Sequence, residues 1–358
     1  MIENYLPFIK KKLESTNYFE YYDDIIHLLE NNHQNIQNLL LNKELNFENI
    51  KYYSKKKNKL LYEFINNKNF NNFICNLLNK IYDNNINYEL NHNTLVNIKT
   101  KIPNINNNLR KEGVYIFPEL LNKNKCEKIL EHLNNKEYID RTNNIIKNIN
   151  LFNKNKNIWW INNYNDLLSC ETIQQIITSE YLLNIAENYF KCKPILHNVL
   201  FWASYHGDVD TTQKFHQDFD DIKFMKIFIY LDDVDSENGP HVYVKKSLNN
   251  INKISIDNKK LSQRYDDELI KQHFEKDIIE ICGKAGTIIF EDTHGLHKGT
   301  NVKKGKRFVL QLVYGVSPLY HLKNSNYVKY NCNINQHNTI YKAFLKFPYS
   351  YMNFTFHQ

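Results

Sequence analysis

Three His-x-acid triplets occur along the chain: His206-Gly207-Asp208, His216-Gln217-Asp218 and His273-Phe274-Glu275. With 14 histidines and 39 acidic residues, chance alone yields roughly one or two such triplets, so only local geometry can distinguish them. His273 lies in ELIKQHFEKD, a helical pattern in which side chains two apart diverge. His206 lies in SYHGDVDTTQ, a turn by composition, where nothing holds both side chains on one face. KFHQDFDD instead begins an extended segment, in which residues i and i+2 project from the same side. His216 and Asp218 therefore form the candidate two-ligand clamp for a metal.

A third ligand must come from elsewhere in the chain. In GKAGTIIFEDTHGLHKGTNVKKGKRFVLQLVY a strand runs into a loop bearing His294 and His297, and a further strand opens at Arg307. Two imidazoles and one carboxylate on one face of an ion leave the opposite face open, as in iron(II) oxygenases, although zinc accepts the same donors. Arg307 narrows the choice. A 2-oxoglutarate molecule chelates iron through its 2-oxo acid end and needs a fixed cation for its distal carboxylate. Arginine provides this as a planar, bidentate fork. Arg307, Val309, Gln311 and Val313 share one face of that strand, and Phe308, Leu310, Leu312 and Tyr314 share the other. Both faces suit burial, which makes this an internal strand with an arginine at its mouth.

The elements that must hold these residues are short and β-rich from about Pro194 onward. Strands are expected at Leu196 to Tyr205, Met225 to Leu231, Val242 to Lys245, Ile278 to Ile281, Thr287 to Phe290 and Phe308 to Tyr314, separated by Gly, Asp and Asn turns. Such spacing suggests a sandwich or barrel, with a jelly roll the natural candidate. Upstream, Pro103 and Asn106 to Asn108 mark a break. Val114 to Phe117 then forms a strand, and from Asn122 a helix buries Cys126, Ile129, Leu130 and Leu133. Residues 1 to about 95 read as helical. The chain thus divides into a helical N-terminal region, 1–100, without an assigned role, and a domain over 101–358 with helical flanks and a C-terminal extension.

The stretch from about Leu109 to Pro318 resembles the phytanoyl-CoA dioxygenase family of iron(II)/2-oxoglutarate oxygenases. The resemblance is carried in order by EGVYIFPELL, by KFHQDFDDIKFMKIFIYLDDVDSENGPHVYVKKSL and by GTIIFEDTHGLHKGTNVKKGKRFVLQLVY. It implies a mainly β chain (α+β) with a double-stranded β-helix, jelly-roll or cupin-like, at its core. The implied iron ligands are His216, Asp218 and His297, with Arg307 binding 2-oxoglutarate. The family sets its third ligand just before a small residue and about ten residues before the arginine, which selects His297 over His294. Where the family often has Pro-Gly-Ser-His after its next strand, this chain has Val244-Lys245-Lys246-Ser247-Leu248. The first ninety residues have no counterpart.

Around this core, Thr300 and Gln311 are candidates for hydrogen bonds to 2-oxoglutarate, and Trp202 and Tyr205 for the wall of its pocket or the substrate's. Lys226 and Tyr230 share a face of the following strand and are further candidates. Trp159-Trp160 reads as buried core, with a lid or substrate wall as the alternative, His241 as a structural histidine rather than a ligand, and His294 as a residue behind the ligands or in the pocket. The expected reaction consumes dioxygen and 2-oxoglutarate, releases succinate and carbon dioxide, and hydroxylates a C–H bond of a small-molecule or conjugated substrate. Two other readings carry different expectations: a cupin-type metal-dependent isomerase or hydrolase needs no Arg307, and a non-catalytic binding protein needs none of the four residues.

Bulk composition sets the remaining bounds. Hydrophobic residues make up 42% and charged residues 24% of the 358, the profile of a soluble globular chain. The net charge of +7 is dispersed, which argues against a nucleic-acid surface. The six cysteines form no CxxC pair, and no stretch approaches a membrane span, so a cytoplasmic protein is expected. Runs of Asn and Lys are read as compositional bias. Nothing in the sequence sets the oligomeric state.

Overall fold

The computed structural model describes residues 102–207, 213–221, 223–251, 254, 263–316, 330–347, 350–351 and 353–357, with a few isolated positions ahead of them. The helical reading of residues 1 to about 95 lies outside the described residues.

The described chain starts with a helix, Ile102–Glu112, where a break was expected. Pro103 falls in its first turn, where the missing N–H costs no hydrogen bond, and Ile105 and Leu109 bury one face four residues apart. Gly113 ends it with φ +83, and a Cβ there would run into the Tyr243 hydroxyl. The strands are β1 (Val114–Phe117), β2 (Lys136–Asp140), β3 (Ile145–Ile149), β4 (Ile158–Ile161) and β5 (Ile195–Tyr205). They continue with β6 (Phe215–His216), β7 (Phe224–Tyr230), β8 (His241–Val244), β9 (Arg264–Tyr265) and β10 (Ile278–Ile281). The last are β11 (Ile288–Glu291), β12 (His297–Gly299), β13 (Lys306–Gly315), β14 (Tyr330–Asn333) and β15 (Phe354–His357).

These strands form an eight-stranded sheet in the order β1-β11-β7-β13-β5-β4-β2-β3, a five-stranded sheet in the order β10-β8-β12-β6-β9, and a parallel pair, β14-β15. The two large sheets are antiparallel throughout. From β5 to β8 the chain alternates between them; β10 stays in the smaller sheet, and β11 to β13 alternate again.

Side-chain alternation decides what each sheet face does. Phe308, Leu310, Leu312 and Tyr314 of β13 join Phe201, Ile227 and Ile229 in one apolar core with Leu182, Leu183, Ile185 and Phe190 of the helix Glu180–Phe190. Each such side chain contributes on the order of 1.5–3 kcal/mol by leaving water. The opposite face of the same strands brings Trp202, Phe228, Tyr230 and Val309 against Tyr243 and Ile281 of the smaller sheet. The two sheets therefore face one another, and a cavity lies between them.

Part of the asparagine content does local work. Asn122 and Asn163 cap the helices Lys123–Leu133 and Tyr164–Leu168 through their side-chain oxygens. Asn135, Asn144 and Asn157 occupy left-handed backbone at φ 57, 54 and 65, which asparagine tolerates better than most residues. Among the described residues no helix is long and apolar enough to cross a membrane. All six cysteines are free thiols.

Candidate metal centre and active site

The smaller sheet aligns two histidines. His216 ends β6 and His297 begins β12, and they are direct partners in the ladder between these strands, with ring centroids 4.3 Å apart. Asp218 follows β6, and its backbone N–H donates to the Thr293 carbonyl at 2.8 Å. Gln217 clasps the same loop, its side-chain amide donating to the His294 carbonyl at 2.5 Å. These two bonds fix the loop before β12 against the segment after β6, so residues some eighty positions apart are held in register.

The ligand atoms converge. Asp218 Oδ1 is 3.7 Å from His216 Nε2, and Asp218 Oδ2 is 3.2 Å from His297 Nε2. One donor atom from each of the three residues lies within 4.8 Å of the others. Each imidazole is oriented from behind: His216 Nδ1 donates to the Lys214 carbonyl at 2.8 Å, and His297 Nδ1 to the Gly295 carbonyl at 3.0 Å. That fixes the tautomer in which Nε2 carries the lone pair and faces the centre. Among the described residues, this is the cluster of histidine, cysteine and carboxylate donors with metal-binding geometry.

Electrostatics favour the ligand state a cation needs at His216 and Asp218 and work against it at His297. Burial pulls the His216 imidazole down to about 3, with the neighbouring His297 adding to the effect. Burial also opposes charge on His297, but the adjoining Asp218 carboxylate outweighs it and raises that imidazole above its ordinary value. For Asp218, burial opposes ionisation, yet Lys226 and the two imidazoles hold it well below the usual carboxylate range.

Arg307, on β13, lies in the same cavity, of about 380 Å³, and is 6% exposed. Its Nη1 donates to the Gly239 carbonyl and its Nη2 reaches Ser204 Oγ at 3.4 Å, while Nε has no partner among the described residues. Burial alone lowers its pKa. Among the described residues no carboxylate pairs with it, so a buried cation stands ready for an anion. Arg307 Nη2 lies next to Gly299 of β12: a Cβ at that glycine would be 3.8 Å from it, an ordinary contact.

The other residues expected at the pocket divide into two groups. Trp202, Gln311, Lys226 and Tyr230 line the cavity. Tyr205 does not. It lies on the opposite face of β5, packed edge-on against Phe308 with its hydroxyl donating to Leu151 O at 2.9 Å, because three residues along a strand reverse the face. Thr300 also falls outside the lining, its hydroxyl spent on the Pro240 carbonyl at 2.7 Å. His294 is buried away from the cavity, bonded to Asp292 Oδ1 at 2.8 Å and set against Phe224. His273 belongs to the helix Asp267–Phe274, as expected, and His206 bonds the Val302 carbonyl.

Sequence reasoning preferred the core for Trp160 over a substrate wall and a structural role for His241, and the structure puts both on the cavity wall. Trp160 lines the cavity and stacks on Trp202 at 4.8 Å, while Trp159 goes to the core; the alternation of β4 was the available signal. His241 also lines the cavity, and only its place on the inner face of β8 would have revealed it.

No family model matches the chain, and no curated protein matches it, so the likeness to the phytanoyl-CoA dioxygenase family stays a resemblance. Solved structures do match. The epimerase SnoN, in complex with Fe3+, alpha-ketoglutarate and nogalamycin RO, is 12% identical over 60% of this chain and 82% of its own, with a TM-score of 0.41. The alpha-ketoglutarate-dependent carbocyclase SnoK from nogalamycin biosynthesis is 13% identical over 61% of this chain and 87% of its own, with a TM-score of 0.42. HygX from Streptomyces hygroscopicus, with nickel, 2-oxoglutarate and hygromycin B bound, is 13% identical over 58% of this chain and 84% of its own, at 0.39. These likenesses are too distant to carry residue roles from those proteins to this chain.

Proposed function

We propose that this chain is a non-haem iron(II), 2-oxoglutarate-dependent oxygenase. Its core would be a double-stranded β-helix, with β5, β7, β11 and β13 forming one half and β6, β8, β10 and β12 the other. One observation carries the reading: a two-histidine, one-carboxylate cluster shares a cavity with a buried arginine that has no carboxylate partner among the described residues. The histidines and Asp218 offer nitrogen and oxygen donors suited to iron(II). Arg307 makes the site specific for a diacid. His297 and Gly299 are two apart on β12, roughly 7 Å along a strand, and Arg307 Nη2 lies over Gly299. That span suits a five-carbon 2-oxo diacid held at both ends.

In this reading His216, Asp218 and His297 hold the metal, Arg307 anchors the distal carboxylate, and Gln311 and Trp202 line the co-substrate's path. Bound iron and co-substrate would supply oxidative decarboxylation to succinate and carbon dioxide, coupled to attack on a substrate C–H bond, with hydroxylation as the expected outcome. Ile158, Trp160 and Leu200 then give the substrate an apolar, planar wall, with Arg141 stacked over Trp160 at 4.4 Å on its rim. This wall fits a small molecule or the small-molecule end of a conjugate.

The test is release of succinate from 2-oxoglutarate by purified protein with a pooled metabolite library. Release that needs iron(II) and dioxygen and is lost in His216→Ala supports the reading. Turnover of a substrate without 2-oxoglutarate would instead favour a metal-dependent hydrolase or isomerase, and inertness toward both metal and co-substrate a binding protein.

A further inference from the structure

Glu291, the last residue of β11, is fully buried, and among the described residues neither carboxylate oxygen has a hydrogen-bond partner. A buried carboxylate without a donor is rare because it forfeits water and gains nothing in return. Two imidazoles flank it. His297 Nδ1 is 3.9 Å from Oε1 but is already bonded to the Gly295 carbonyl. His241 Nε2 is 2.8 Å from Oε2, at hydrogen-bond length but poorly aligned, so that both atoms count as unsatisfied. A modest turn of the His241 ring would satisfy both at once.

The place of His241 in the sheet says what this pair is for. His241 lies on β8 directly opposite Gly299 of β12, one pleat beyond the pairing of Tyr243 with His297. It therefore occupies the row between the metal ligand and Arg307, and Arg307 itself bonds the carbonyl of Gly239, two residues before it. Its ring stacks on Phe228 at 4.8 Å and lies 5.8 Å from the His297 ring. The side chain is 11% exposed and lines the cavity, and its Nδ1 makes no hydrogen bond among the described residues.

Resting on the reading above, we propose that His241, oriented by Glu291, is a second anchor for the co-substrate. It donates Nδ1–H to the distal carboxylate of 2-oxoglutarate beside Arg307. The co-substrate carboxylate then gains a donor on the side Arg307 does not cover.

Calorimetric titration of 2-oxoglutarate and of 2-oxobutyrate into Mn(II)-loaded protein, without turnover, tests this. 2-Oxobutyrate has the chelating end but no distal carboxylate. In His241→Leu and in Glu291→Gln, 2-oxoglutarate should bind about tenfold or more weakly, while 2-oxobutyrate and Mn(II) bind as in the wild type. His241→Gln keeps an N–H donor and should recover part of the loss. Unchanged 2-oxoglutarate binding in a folded His241→Leu protein, or equal weakening of both acids, overturns the proposal. Mn(II) binding without any 2-oxoglutarate binding by the wild type would overturn the co-substrate reading itself, a different result.

Discussion

Lys226 Nζ lies 2.5 Å from Asp218 Oδ2 and 3.1 Å from Asp220 Oδ2, so one ammonium group bridges a candidate metal ligand and a second carboxylate on the cavity wall. Burial works against its charge, but the two carboxylates prevail and raise its pKa well above the ordinary lysine value. Among the charges that keep the Asp218 carboxylate ionised, this ammonium has the largest effect, ahead of the two imidazoles.

Replacing Lys226 with methionine should therefore have opposite effects on stability and metal affinity. Removing one partner from a buried ionic cluster destabilises the metal-free protein, here by about 2–4 kcal/mol. With the competing cation gone, Mn(II) should bind more tightly and recover much of that loss. Urea unfolding with and without Mn(II) reads both effects; a variant as stable as wild type without metal would contradict the bridging role.

Metal binding should release no more than one proton near neutral pH. The His216 imidazole, at about 3, is already neutral there, and Asp218 is ionised. The Asp218 carboxylate raises the His297 pKa above its ordinary value, so His297 is the ligand that protons contest, and affinity should fall as the pH drops through its titration. The same shift stabilises the metal-free fold at low pH, an effect lost as pH rises through the folded-state value. Calorimetry in buffers of different ionisation enthalpy gives the proton count; a count of two would contradict the assignment.

Arg307→Lys keeps the charge but loses the planar fork. It should weaken 2-oxoglutarate binding about 10- to 100-fold while leaving the Mn(II) Kd within about twofold, since Arg307 touches none of the three ligands. Equal loss of metal and co-substrate would indicate a general structural role.

Tyr205→Phe supplies the contrast. Its hydroxyl bonds the Leu151 carbonyl and the Asn155 side chain on the helix-facing side of β5, so the variant should lose about 1 kcal/mol of stability and none of its metal or 2-oxoglutarate affinity. A change in co-substrate affinity would put Tyr205 back in the pocket.

Much of the core was legible because its signals are local and periodic. β1 and β10 fall on the residues expected, and β13 spans the expected segment with both faces buried. In the helix Lys123–Leu133 the four expected residues are the buried ones. His216 and Asp218 followed from an i, i+2 spacing, whereas the choice between His294 and His297 needed the resemblance, since two histidines three apart in a loop carry no periodic signal. Strands β2, β3 and β4 were not foreseen, because β3 is largely exposed and lacks the alternation that marks a half-buried strand. Tyr205 and Thr300 show the limit of spacing arguments: both flank the right strands, but side-chain direction and a competing backbone acceptor take them elsewhere. The Lys226 bridge and the Glu291–His241 contact join distant strands, which no local pattern encodes.

The most direct test is anomalous diffraction at the iron edge from crystals grown anaerobically with iron(II) and 2-oxoglutarate. The account predicts one iron peak bounded by His216 Nε2, Asp218 and His297 Nε2, with co-substrate density running from it to the Arg307 guanidinium. Iron bound elsewhere, or an Arg307 that meets only protein groups while the metal site is filled, would contradict it.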